Sequence, residues 1–273
     1  MRIDYTHLTE SQWKIANYIE RHLEEVLLST EQEIANKLGI SIATVSRFWK
    51  AIGYQNLKAF KHDMKEELAV SPAGKIRNTG NNLSGGTFYL SVEKGVGLLQ
   101  ETMDHQNPKV FERSIDALME ANRIFILALG PAKGLAELLN YRMARYGKKI
   151  HLIQQHGHEL FEEMIHFKKE DIIIIFAFTR LLPEAKVLLQ YQREKHFQSI
   201  LITDQLAARF SSSATYTLFA SRGEANEFHS MLGPTILIEN MILSLGLREK
   251  EENIKRLEKL AELRKKFSVD LPR

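Results

Sequence analysis

Seven polar residues gather in one short stretch: Ser41, Thr44, Ser46, Arg47, Lys50, Asn56 and Lys58. Hydroxyls and an arginine on one helix face can bond base edges or phosphates, and arginine matches guanine or phosphate through two parallel bonds. Asn56 and Lys58 are expected to meet phosphate at a helix start, where free N–H groups attract anions. No aspartate or glutamate occurs between Ile34 and His62, while Lys37, Arg47, Lys50, Lys58 and Lys61 all do. Such a stretch inside a mixed-charge chain suits a phosphate-facing surface, and DNA binding outweighs an ordinary helical corner.

A second set is Gly130, Lys133, Thr179 and Arg180. Each pair sits where an apolar run turns into a helical pattern, at Ala128–Gly134 and at Phe176–Glu184. Gly130 frees the backbone, Lys133 adds charge, Thr179 brings a hydroxyl, and Arg180 offers a two-pronged grip on carboxylate or phosphate. Together they point to a small anionic ligand. Two purely structural turns in a domain that only dimerises are the plainer alternative. His151, His156 and His158 lack a carboxylate pair at metal-ligand spacing, so no metal and no cofactor are expected. Glu224, Glu227, His229 and Ser230 line a pocket or cap the helix that follows. No Ser-His-Asp order or nucleophile elbow is visible, and no residue is read as catalytic.

The elements that must position these residues follow from caps and periodicity. Thr9, with Gln12 three residues on, starts a first helix carrying Trp13, Ile15, Ala16, Ile19 and Leu23. Trp13 and Trp49 are read as core or dimer-contact residues rather than base stackers. Ser29 or Thr30 caps a helix with Ile34, Ala35 and Leu38 on its apolar face, and Gly39 stops it. Ser41 caps the next helix through Lys50, anchored by Val45, Phe48 and Trp49 and stopped at Gly53. Two short helices around a Leu-Gly-Ile-Ser corner are the sequence form of a helix-turn-helix. A further helix spans Leu57 to Leu68. The Pro, Gly, Asn and Ser content of Val70 to Gly86 reads as a flexible linker, and helical character returns from Phe88 to Met103.

Downstream, apolar strands at Arg123–Leu129, Lys149–Ile153, Asp171–Phe178, Ser199–Thr203 and Thr215–Phe219 alternate with helices at 107–119, 132–146, 159–167 and 184–194. That order predicts a doubly wound parallel sheet covered on both faces. An apolar helix is expected over Asn226–Leu247, then a charged tail over Arg248–Phe267 whose thin apolar stripe favours a dimer role. The fold class is therefore an N-terminal all-α helix-turn-helix domain plus a C-terminal α/β domain. Expected boundaries are 1–77 for the first, 78–106 for linker and connecting helix, 107–247 for the sheet domain and 248–273 for the charged tail.

The chain has 273 residues and a formal net charge of +3, so any basic surface is local rather than global. It has no cysteine, which excludes disulfides and thiolate chemistry and fits a reducing compartment. The start lacks an apolar signal core and no apolar run is long enough to span a bilayer, so a soluble cytoplasmic protein with no membrane partner is expected.

The stretch LTESQWKIANYIERHLEEVLLSTEQEIANKLGISIATVSRFWKAIGYQNLKAFK resembles the RpiR family of bacterial transcriptional regulators. RIFILALG, KKEDIIIIFAF and SILITD resemble the sugar isomerase (SIS) domain that these regulators carry. The resemblance implies a regulator of carbohydrate metabolism that binds a double-stranded operator, senses a phosphosugar or other anionic metabolite, and forms a homodimer or higher homo-oligomer. The family's first loop places a serine where Ala132 stands. Its Ser-x-Ser-Gly-x-Thr loop falls on Ala177, Thr179, Arg180 and Leu182, so only Thr179 keeps a hydroxyl and Arg180 is the substitute anion grip. An aldose–ketose isomerase acting on a sugar phosphate, and a regulator whose SIS fold serves only assembly, are the competing readings.

Overall fold

A computed structural model describes residues 8–69, 71–82, 87–206 and 213–271. The chain divides into two compact units after residue 82, with Asn226–Phe228 grouped with the first.

The first unit is helical: α1 (Glu10–Arg21), α2 (Leu23–Leu28), α3 (Glu31–Leu38), α4 (Ile42–Ala51), α5 (Leu57–Ala69) and α6 (Pro72–Asn82). Thr9 and Gln12 form the expected capping box on α1. Thr30, rather than Ser29, caps α3, and Glu33 completes a second box. Gly39 ends α3 at φ 63°, and the Ile40 N–H reaches back to the Ala35 carbonyl at 3.1 Å. Gly53 (φ 89°) lets the Tyr54 N–H reach the Trp49 carbonyl in the same way, at 2.8 Å. Both α3 and α4 therefore stop where glycine can turn left-handed and satisfy leftover carbonyls. Ile15, Ile19, Ile34, Val45, Phe48, Trp49 and Phe60 fill the core. Trp49 packs on Phe60 with ring centroids 4.9 Å apart. Trp13 departs from the core reading: it is 40% exposed, while Trp49 is fully buried.

Residues 72–82 correct the linker expectation, because they form α6. The Ser71 hydroxyl accepts the Gly74 N–H at 3.0 Å and Pro72 takes the first helical position, a start signal that the Gly and Asn content obscures. Residues 70 and 83–86 of that stretch lie outside the described residues.

The second unit begins with α7 (Thr87–Asp104) and α8 (Pro108–Glu120), the latter capped by Asn107. It continues β1 (Ile124–Leu127), α9 (Ala132–Met143), β2 (Ile150–Ile153), α10 (Leu160–Met164), β3 (Ile172–Phe176), α11 (Pro183–Lys195), β4 (Gln198–Thr203), β5 (Tyr216–Phe219), α12 (Leu232–Arg248) and α13 (Lys250–Lys266). The strands pair in parallel in the order β2-β1-β3-β4-β5. Side chains alternate between two cores. Ile124, Ile126, Ile172, Ile174, Ile200 and Ile202 meet α8, α9 and α12 on one face. Phe125, Leu127, Ile173, Ile175 and Leu201 meet α10 and α11 on the other. This is the predicted doubly wound sheet, with strand order reversing between β1 and β3.

Two elements are shorter than their sequence suggests. The helix expected from Asn226 begins only at Leu232, and that expected over Glu159–Phe167 reduces to a 3-10 turn and α10. At the amino ends of β1 and β3, Arg123 grips Asp171 through two bonds of 3.0 and 2.6 Å. The Asp171 side chain is fully buried, and hydrogen bonding to it holds the Arg123 guanidinium above its usual range.

Gly233 at the start of α12 faces the carbonyl of Ser221, and a Cβ there would stand 2.3 Å from that oxygen. The neighbour is backbone, which cannot step aside. Gly233→Ala should lower the stability of the second unit by about 1–3 kcal/mol. Urea unfolding checks this; an unchanged midpoint for that unit means the close approach carries no weight.

Candidate nucleic-acid and ligand sites

On α4 the exposed residues are Ile42, Ala43, Arg47, Lys50 and Ala51, with Thr44 and Ser46 half-buried. Residues 43, 47 and 50 recur at helical spacing, so they share one face. The Arg47 Nε donates to the Ala43 carbonyl one turn back at 3.2 Å, which lays the guanidinium along the helix. Ser41 is the N-cap: its hydroxyl accepts the Thr44 N–H at 3.2 Å and lies 2.8 Å from the Thr44 hydroxyl. Ser46 donates its hydroxyl to the Glu31 carboxylate, which ties α4 to α3. Asn56 caps α5 by accepting the Ala59 N–H at 2.9 Å, and Lys58 is exposed beside it.

The acid-free stretch is thus unequal in three dimensions. Lys37 pairs with Glu25, which draws the carboxylate below and the ammonium above their ordinary ranges through a direct hydrogen bond. Lys61 donates to the Ser29 carbonyl at 2.6 Å. Among the described residues, Arg47, Lys50 and Lys58 pair with no carboxylate, and all three are exposed. The face left for an anionic partner is therefore narrower than the sequence implies, and centred on the end of α4 and the start of α5.

In the second unit the four candidate ligand residues fall in two places. Lys133, with Ala128, Glu137, Leu152, Gln154 and His156, lines a cavity of about 330 Å³ at the carboxyl ends of β1 and β2. Gly130 (φ 57°) turns the chain from β1 into α9, and the Lys133 N–H closes that turn on the Gly130 carbonyl at 3.2 Å. Thr179 and Arg180 instead follow β3, beside the carboxyl ends of β4 and β5. Thr179 sits at φ 65°, a left-handed conformation that costs a β-branched residue about 1–2 kcal/mol. The Arg180 N–H folds back to the Phe178 carbonyl at 2.7 Å, closing a three-residue turn centred on Thr179.

That turn is pinned from the next strand. Asp204 Oδ1 accepts the Thr179 N–H at 2.7 Å, and the Gln205 side-chain amide donates to the Thr179 carbonyl. Asp204 Oδ2 lies 3.3 Å from an Arg222 Nη1, and the Arg222 guanidinium stacks over the Phe178 ring at 4.7 Å. Burial pushes that guanidinium below its usual range, against the opposing pull of Asp204. Sequence reasoning missed Asp204 and Arg222. They lie 18 positions apart, and only the β3–β4–β5 register brings them to one loop; the lone signal was an aspartate closing the apolar run SILIT.

Comparison with known proteins places both units. Residues 1–71 match the helix-turn-helix domain of the rpiR family, and residues 117–247 match the SIS domain. The chain is 23% identical to an uncharacterized HTH-type transcriptional regulator of Haemophilus influenzae, covering 78% of this chain and 76% of that one. It is 21% identical to the HTH-type regulator YbbH of Bacillus subtilis, over 89% of this chain and 88% of the relative. Among solved structures, the Vibrio vulnificus NanR protein complexed with ManNAc-6P superimposes with a TM-score of 0.61 at 20% identity, covering 96% of each chain. The sugar isomerase domain of an RpiR transcription factor from Sphaerobacter thermophilus gives 0.58 at 17% identity, covering 63% of this chain and 96% of that one. These likenesses bear out the fold class expected from the sequence.

If Ser41 serves chiefly as a cap, Ser41→Ala should destabilise α4 by about 1 kcal/mol and Ser41→Asp should restore it. Native-state hydrogen exchange of the α4 amides reads this directly; equal protection in all three proteins removes the cap from the account.

Proposed function

Because the chain belongs to the RpiR family of transcriptional regulators, with that family's helix-turn-helix domain and a SIS domain, we propose that it grips a duplex operator through α4 and the start of α5. The observation that carries this is the exposed trio Arg47, Lys50 and Lys58, which no carboxylate of the described residues neutralises. Arg47, backed by the small side chain of Ala43, is the base reader in this reading, with Thr44 beside it. Lys50 and Lys58, with Ser41, Ser46 and Asn56 in supporting roles, position the helix against phosphates. The exposed Ile42 adds an apolar contact at the amino end of the helix.

The SIS domain is the sensor in this proposal, and its ligand an anionic sugar derivative. Two features support it: Lys133 in the cavity beside β1 and β2, and the strained Thr179 turn next to Arg180 at the carboxyl edge of the sheet. NanR, with the same fold, was solved with the sugar phosphate ManNAc-6P. The relatives are named as transcriptional regulators, which supports sensing rather than turnover.

A homodimer completes the reading, since two heads on one palindromic site would sit about 34 Å apart, one turn of duplex. Its seat is the apolar surface shared by α7 and α12. Val92, Val96 and Met103 line one helix and Ile236, Leu243 and Leu247 the other, all exposed. The helices approach so closely that a Cβ on Gly95 would lie 2.7 Å from the Leu232 side chain. An exposed apolar surface of this continuity marks an interaction site.

Arg47→Ala should weaken operator binding by about 1–3 kcal/mol at fixed salt and relax preference at one base pair. A gel-shift titration showing unchanged affinity would falsify the base-reading role. Val96→Glu should convert the dimer to monomer in sedimentation equilibrium; a wild-type chain that sediments as a monomer sinks the dimer reading itself.

A further inference from the structure

We infer that Asp204 is a built-in occupant of the effector's anion position, holding the Thr179 amide until an anionic effector takes it and Arg222 receives the displaced carboxylate. The inference rests on the sensor reading of the SIS domain and names how that site is regulated. It is carried by three observations at one loop.

The first is the acceptor on Thr179. The turn after β3 leads straight into α11 at the carboxyl edge of a parallel sheet, where backbone N–H groups collect anions. Here the Thr179 N–H already has an anion. The Asp204 carboxylate lies 2.7 Å away, a charge-assisted length, and arrives from the end of the neighbouring strand.

The second is backbone strain confined to that residue. Thr179 is one of two non-glycine residues at positive φ among those described. Asp204 on its N–H and Gln205 on its carbonyl hold it there. A strained turn kept by two contacts from one neighbouring loop lets go when one of those contacts moves.

The third is an arginine left half-satisfied. Arg222 is 7% exposed, yet its contact to Asp204 is a single one of 3.3 Å and its Nε has no hydrogen-bond partner. Guanidinium and carboxylate meet best through two parallel bonds. As it stands, Asp204 gives Oδ1 to the Thr179 N–H and turns only Oδ2 toward Arg222. Swung off Thr179, it can turn both oxygens to the guanidinium. One carboxylate thus stands between two donors, and the loop has two arrangements, one closed on Thr179 and one on Arg222. An oxyanion on the effector, phosphate or carboxylate, decides between them by supplying its own acceptor to Thr179.

Isothermal titration of the full chain with inorganic phosphate, glucose 6-phosphate and gluconate tests this. The phosphates and the carboxylate separate the two sources of oxyanion. Asp204→Asn keeps an acceptor for the Thr179 N–H but removes the competing charge, so the best of these ligands should bind about fivefold or more tightly than to wild type. Arg222→Lys removes the two-pronged receiver, so binding should weaken by about the same factor. The lysine variant decides the matter where the asparagine variant does not fold. Equal affinities across wild type and the folded variants overturn the latch while leaving the sensor reading in place. Absence of heat with every ligand and every protein, including a wider sugar-phosphate panel, overturns both.

Discussion

Parallel pairing of β1 with β3, Ile124 to Leu127 against Ile172 to Ile175, is the constraint on which the second unit depends. Strand order reverses across this pair, so the chain leaving β1 and the chain leaving β3 lead to helices on opposite faces of the sheet. The pair is locked at its other end. Asp171 accepts both bonds of the Arg123 guanidinium and also the Lys168 N–H at 2.7 Å. A buried carboxylate satisfied this fully holds the amino ends in register, because separating it from its partner would strand a charge in a water-poor place. Among the described residues, the carboxyl ends carry no such two-bond lock. They hold the Gly130 turn, the Thr179 turn and the Arg222–Asp204 contact instead.

The helical unit divides its labour differently. Side chains that look like ligand contacts are partly structural. Ser41 and Asn56 cap helices, and Ser46 ties α4 to α3 through Glu31. The long cations Arg47, Lys50 and Lys58 are exposed and, among the described residues, pair with no carboxylate. The backbone beneath these residues is fixed by caps and by the two glycine stops.

Local chemistry was legible in the sequence and tertiary convergence was not. Thr9, Gly39, Ser41 and Gly53 act within one turn of themselves, so their roles follow from neighbours in the chain. The strands were legible because burial on both faces demands unbroken apolar runs, as in Ile172–Phe176. The helix over 72–82 was lost because glycine and asparagine content outweighed a Ser-Pro start that packing rewards. The geometry of the candidate ligand residues was half legible. Turn chemistry flagged Gly130 and Thr179, but the separation of Lys133 from Thr179, and the meeting of Asp204 with Arg222, depend on strand register, which no spacing in the sequence encodes.

The chain's two tryptophans, Trp13 and Trp49, both lie in the helical unit, one half-open to water and the other enclosed beside Phe60. The sheet unit has tyrosines and phenylalanines alone. Indole emission from this protein is therefore a private optical channel for the amino-terminal unit. A spectral shift on adding a small ligand to the sheet unit would be light reporting from the far end of the chain, with no dye attached.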